Sequence, residues 1–111
     1  MDNKKSDKYY FGKIINDINL IKEYVGNSTY EEYVSNSLLM DATMFRMIQL
    51  VECVKSISET FKNDHPQIKW RKIVGFRNGI VHDYGKADYT IVYETITKSL
   101  NQLKGFLEQC L

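Results

Sequence analysis

Apolar residues return at every third or fourth position along almost the whole chain, and that spacing leaves little alternative to α-helix. Phe11, Ile14, Ile18, Ile21 and Val25 step by three and four, so they fall on one stripe of a helix predicted from about Asp7 to Val25. Gly26-Asn27, a pair that tolerates left-handed backbone, ends it. Ser28 or Thr29 can cap a short helix that follows through Tyr33. Met40, Met44, Met47, Val51, Val54, Ser58 and Phe61 then repeat by four and three, and Leu39, Ile48, Leu50 and Ile57 widen the apolar face. This predicts a long central helix from about Ser37 to Phe61, with its methionines as core filler.

Asn63-Asp64-His65 reads as a break. Pro66, the single proline, suits the first turn of a helix, where a missing N–H costs nothing. A third long helix is therefore expected from about Pro66 to Asp83 or Tyr84, stopped by Gly85. Asp88 can cap a last helix from about Tyr89 to Cys110, whose stripe is Val92, Ile96, Leu100, Leu103, Leu107 and Cys110. Strand signals are weak, and no internal repeat or linker interrupts the pattern. The sum is an all-α, up-and-down four-helix bundle with one short extra helix, forming a single domain over residues 1–111.

Length and composition fit that expectation. A chain of 111 residues, 43% of them hydrophobic, can bury a core without metal or disulfide staples. Cys53 and Cys110 match no zinc or redox spacing, and both sit in apolar helical patterns. They read as buried free thiols in a reducing compartment. No apolar run approaches the roughly 20 residues that span a bilayer. The polar start, Met1 to Lys8, lacks a signal peptide's apolar stretch, so a cytoplasmic protein with no membrane partner is expected.

The third helix departs from pure packing. Gly75 and Gly79 stand four apart, and each lowers helix stability by about 1 kcal/mol relative to alanine. Their shared face invites close approach by another helix, a second subunit or a ligand; tight packing within the chain is the plainer alternative. Charge is uneven as well. The net charge is +1, which excludes a uniformly basic nucleic-acid coat. Yet six basic residues face two acidic ones between Lys62 and Lys86, while the remainder holds nine basic and twelve acidic residues. Lys69, Arg71, Lys72 and Lys86 could thus meet phosphate oxygens. For Lys69 and Lys72 alone, a solvated helix face is the simpler reading.

Third, Arg77-Asn78-Gly79-Ile80-Val81-His82-Asp83-Tyr84 packs four chemically capable side chains into about two turns. Asn78 and His82 share a helical face, whereas Arg77 and His82 diverge by roughly 140°. One straight helix does not aim both at one atom. Either the helix end bends or a cleft between two chains gathers them. Taken singly, His82 could complement a helix dipole, Arg77 could pair with Asp83 or with an acid on another helix, and Tyr84 could close the bundle end.

The arginine–four residues–His-x-Tyr pattern, here Arg77, His82 and Tyr84, resembles the signature of the HEPN superfamily and of its HepT-type toxins. His65-Pro66-Gln67-Ile68-Lys69-Trp70-Arg71 ahead of Gly75-Phe76-Arg77-Asn78 is similar to the family's approach to the motif. Where the family often shows Ile-Gly-Glu-Ala, this chain has Leu50-Val51-Glu52-Cys53, which keeps the acid and replaces the glycine and alanine. The resemblance implies metal-independent RNA cleavage by a homodimer. It also implies a minimal nucleotidyltransferase antitoxin that adds AMP to the tyrosine, here Tyr84, which would block a phosphate site by charge and bulk.

The residue chemistry suits that activity. RNA cut without metal uses the ribose 2′-hydroxyl as nucleophile. Histidine can take or give a proton near neutrality. Arginine offers a permanent forked charge to phosphate oxygens, and Asn78 can orient His82 or a phosphate. One histidine cannot be acid and base in a single step, and two-fold symmetry would supply a second His82. Neither His65 nor His82 has metal-ligand spacing, so no cofactor or metal is expected. Two other outcomes stay open at this point: a non-catalytic module that docks with the nucleotidyltransferase or presents nucleotide to it, and an idle dimeric scaffold.

Overall fold

The computed structural model describes residues 5–82 and 88–111, and of residues 78–82 the backbone alone. Helix α1 (Asp7–Val25) opens under Ser6, whose hydroxyl accepts from the Tyr9 N–H, and closes on Gly26 at φ 53°. A left-handed residue is required there, and glycine adopts it without steric penalty. Thr29, rather than Ser28, caps α2 (Tyr30–Val34): its hydroxyl accepts from the Glu32 N–H while Glu32 accepts from the Thr29 N–H, a complete capping box. Asn36 caps α3 (Ser37–Ser56) through the Leu39 N–H.

The expected central helix is shorter than its apolar repeat. It ends at Ser56, and a separate short helix α4 (Glu59–Asp64) follows. The cause lies at the other end of the sequence. Asp7 accepts from both the backbone N–H and the hydroxyl of Ser58, at 2.9 and 2.7 Å, while Ser58 caps α4 through the Phe61 N–H. A side-chain acceptor from α1 offers the Ser58 amide an alternative to the helical ladder, so the chain breaks there. The next expectation is also corrected. Helix α5 (Trp70–His82) begins four residues after Pro66, which lies in a preceding turn. The Trp70 indole N–H donates to the His65 carbonyl at 3.1 Å, tying that turn to the helix it leads into.

Asp88 caps α6 (Tyr89–Glu94), accepting from the Thr90 and Ile91 amides. The last helix is not uniform, as a single run to Cys110 would be: a π-helical turn over Thr95–Ser99 separates α6 from α7 (Leu100–Gln109). The Thr95 and Thr97 hydroxyls donate to the Ile91 and Tyr93 carbonyls, four residues back. Such back-bonding competes with the ladder and bends helices.

Helix α1 packs along α3, α3 against α5, and α7 against α1, while α2 bridges α3 and α6. The described residues thus form an all-helical bundle with two short extra helices, α2 and α4, where the sequence predicted one. The expected stripes line its core: Phe11, Ile14, Ile18 and Ile21 from α1, Met44, Met47, Val51 and Val54 from α3, and Val92, Ile96, Leu100, Leu103 and Leu107 from the C-terminal run. Cys53 is buried and Cys110 half-buried, and both are free thiols. Burial pushes the Cys53 thiol up, with Lys13 opposing and Asp17 and Glu52 adding to it. No helix among the described residues is long and apolar enough to cross a membrane.

Candidate functional site

Helix α5 carries the motif, and α3 positions its first member. The Arg77 guanidinium meets the Glu52 carboxylate at 3.3 Å, and the second Glu52 oxygen stands 3.7 Å from Lys55 Nζ. The pairing of Arg77 with an acid on another helix, one of those open on sequence grounds, is present; Asp83, the other, lies outside the described residues. Glu52 is half exposed, so this is a surface ion pair that fixes direction more than it adds stability. The guanidinium thus already engages an anionic oxygen, the kind of acceptor a phosphate would also offer. Residue Glu52 was visible in the sequence only as the acid kept in the segment Leu50–Cys53; its pairing requires α3 and α5 to be packed together.

The backbone of α5 runs helical from Trp70 to His82 without interruption. Position 82 lies roughly 140° around the axis from position 77. As backbone positions on one regular helix, 77 and 82 therefore point to different sides. Asn78 and His82 keep their shared helical face as backbone positions. Tyr84 and Lys86, together with Asp83 and Gly85, lie outside the described residues.

The remaining basic candidates separate from Arg77. Lys69, Arg71 and Lys72 are all exposed at the start of α5. Lys69 and Lys72 share the rim of a cavity of about 510 Å³ between α5 and the C-terminal run, floored by Ile73, Phe76 and Leu103. Arg77 instead faces α3. Among the described residues, Lys69 and Lys72 thus stand apart from Arg77.

Gly75 is exposed, and a Cβ built on it would meet nothing within 4 Å. Tight packing within the chain does not account for this glycine, which removes the plainer of its two readings. Among the described residues, no group of three or more His, Cys, Asp or Glu side chains could hold a metal ion.

Comparison with known proteins covers these same elements. The family profile described as "Ribonuclease HepT-like" matches residues 14–110. A protein of Caldanaerobacter subterraneus subsp. tengcongensis, provisionally named an RNase, is 26% identical over 107 residues, 96% of each chain. One from Thermococcus cleftensis, named "Probable ribonuclease HepT", is 28% identical over 106 residues, again 96% of each chain. A third, from Methanocaldococcus jannaschii and provisionally named an RNase, is 23% identical over 105 residues, 95% of this chain and 96% of its own. No solved structure matches the chain.

Proposed function

The chain belongs to the Ribonuclease HepT-like family, and on that premise we propose that it is the metal-independent endoribonuclease toxin of a toxin–antitoxin pair, cutting RNA at a cleft shared by two copies. The observation that carries this reading is the pair of motif positions Arg77 and His82 on one continuous helix, with Arg77 held by Glu52 while part of its side chain stays exposed. Two motif positions about 140° apart on a straight helix cannot serve one phosphodiester from one chain. A two-fold axis beside α5 supplies the missing partner, and the bare flank at Gly75 leaves room for it.

In that cleft each group has a task. One His82 imidazole takes the 2′-hydroxyl proton, and the freed oxygen attacks phosphorus. As the bond to the 5′-oxygen breaks, the imidazolium of the other subunit donates a proton to the leaving oxygen, leaving a cyclic phosphate. Arg77 binds the phosphate oxygens as negative charge builds on them, giving up its contact with Glu52. Asn78 orients His82 or a phosphate oxygen. Lys69, Arg71, Lys72 and Lys86 contribute longer-range attraction for RNA. A nucleotidyltransferase antitoxin neutralises the enzyme by transferring AMP to Tyr84, placing a bulky anion where the substrate phosphate must sit.

Purified protein should cleave RNA in the presence of chelator, and its expression should arrest growth. Both effects should fall about 10²-fold or more in Arg77→Ala and His82→Ala, the range expected for a lost acid–base or charge-stabilising group. Co-expression with a minimal nucleotidyltransferase of the proposed antitoxin type should add AMP mass to the parent but not to Tyr84→Phe. Variants as active and as toxic as the parent would refute the assignment.

A further inference from the structure

A second feature lies outside the motif. Helices α1 and α3 leave between them a groove of about 620 Å³, walled by Tyr9, Lys13 and Asn16 on one side and Phe45, Arg46 and Gln49 on the other. Two of these are aromatic rings left open to water: Tyr9 is 44% exposed and Phe45 53%. Cations accompany both rings. Lys5 and Lys13 stand 5.5 and 5.7 Å from the centre of the Tyr9 ring, and the Arg46 guanidinium lies 5.5 Å from that of Phe45. Among the described residues one carboxylate lines the groove, Asp17, and it is largely buried and engaged with Arg46 at 3.5 Å.

The groove also has a direction. Phe45, Gln49 and Glu52 are spaced i, i+4, i+7 on α3, so they share one face of that helix. Glu52 is the residue that holds Arg77. The cationic, aromatic-lined groove therefore shares a face of α3 with the residue that holds the guanidinium assigned to the scissile phosphate.

We propose that the α1–α3 groove binds the single-stranded RNA flanking the cut site, with bases stacked on Tyr9 and Phe45 and phosphates held by Lys13 and Arg46. The proposal rests on the ribonuclease reading above and deepens it by naming the substrate's form and path. Exposed rings paired with cations match both chemistries of a nucleotide chain, since every base offers a π-face and every linkage a negative charge. A second copy of the chain is the poorer occupant. A two-fold contact through this groove would bring the same cationic patch to both sides of the interface, and like charges across an interface oppose association.

The test uses the intact protein and labelled 2′-O-methyl RNA, which lacks the nucleophilic hydroxyl. Strands of about 4 and about 12 nucleotides bracket the cleft alone and the cleft with the groove. Phe45→Ala should weaken binding of the longer strand about tenfold and leave the shorter unchanged, and Phe45→Trp should restore it. Lys13→Glu should lower the salt dependence of binding by about one phosphate contact. Phe45 and Lys13 are exposed, so both variants should keep the parent's circular dichroism and melting temperature.

Parent-like binding of the longer strand by both Phe45→Ala and Lys13→Glu would overturn the groove proposal. If Arg77→Ala still abolished cleavage, the ribonuclease reading would survive that result. Dissociation of a dimer by Phe45→Ala would overturn it in favour of a protein interface. A parent chain that neither binds nor cuts RNA would sink the ribonuclease reading and the groove with it.

Discussion

Replacing Thr43 by valine should destabilise this protein more than replacing its hydrogen-bond partner Tyr33 by phenylalanine, although both changes break the same contact. Both residues are fully buried, and their hydroxyl oxygens stand 2.7 Å apart. The direction of the bond follows from proton counting. Thr43 Oγ1 also lies 3.0 Å from the carbonyls of Leu39 and Met40, which can only accept. Its one proton goes to them, so the Tyr33 phenol must donate. Burial pushes the Tyr33 phenol up, with the Thr43 hydrogen bond opposing and Tyr89 adding to it, which keeps the donor protonated.

Thr43→Val preserves shape but leaves a buried O–H with no acceptor, a penalty of about 1–3 kcal/mol. Tyr33→Phe removes the donor and leaves Thr43 bonded to its helix, at a cost of about 1 kcal/mol or less. The double variant should lie close to Tyr33→Phe alone, giving a coupling of about 1–3 kcal/mol between the sites, the size of the Thr43→Val loss. For a domain of this size each kcal/mol moves Tm by about 4 °C or somewhat more. Urea unfolding followed by circular dichroism and by the fluorescence of the single tryptophan, Trp70, reads the differences. Equal losses in the two single variants, or simple addition in the double, would show that the assigned direction is wrong.

Two further outcomes follow from other residues. Gly75→Ala adds a methyl group into open space within a helix, so it should stabilise the isolated subunit by about 0.5–1 kcal/mol while weakening a dimer that packs on that flank; chemical denaturation and sedimentation separate the two effects, and an unchanged dimer would remove Gly75 from the interface. Burial raises the Asp17 carboxyl above its ordinary 3.8, with Arg46 and Lys13 opposing. The folded state then holds that proton more tightly than the unfolded state. Asp17 therefore favours folding below pH 3.8, and this contribution is lost as pH rises through the folded value. The stability of Asp17→Asn relative to the parent should accordingly climb over that window and level off above it, as read by urea titrations across pH; a flat difference would refute it.

Local chemistry decided much of this fold, and that part was open to reading. Gly26, Thr29 and Asp88 act on backbone groups two to four residues away, so the end of α1 and the starts of α2 and α6 stand where those residues predict. The apolar stripes were equally legible, because a helix of fixed period buries whichever face repeats with it. The motif Arg77–His82–Tyr84 was legible as a pattern of residues, though its last member lies outside the described residues.

What packing alone decided involves partners far apart in the chain. Asp7 breaks the apolar repeat at Ser58, 51 residues away, because a carboxylate held in place by α1 captures that amide. The start of α5 moved from Pro66 to Trp70, where an indole reaches back to the His65 carbonyl. Glu52 acquires its link to Arg77, and the aromatic groove acquires its second wall, only once α3 lies between α1 and α5. Helical periodicity fixes which residues share a face. Which faces then meet depends on the energy of the assembled bundle, to which no short stretch of sequence has access.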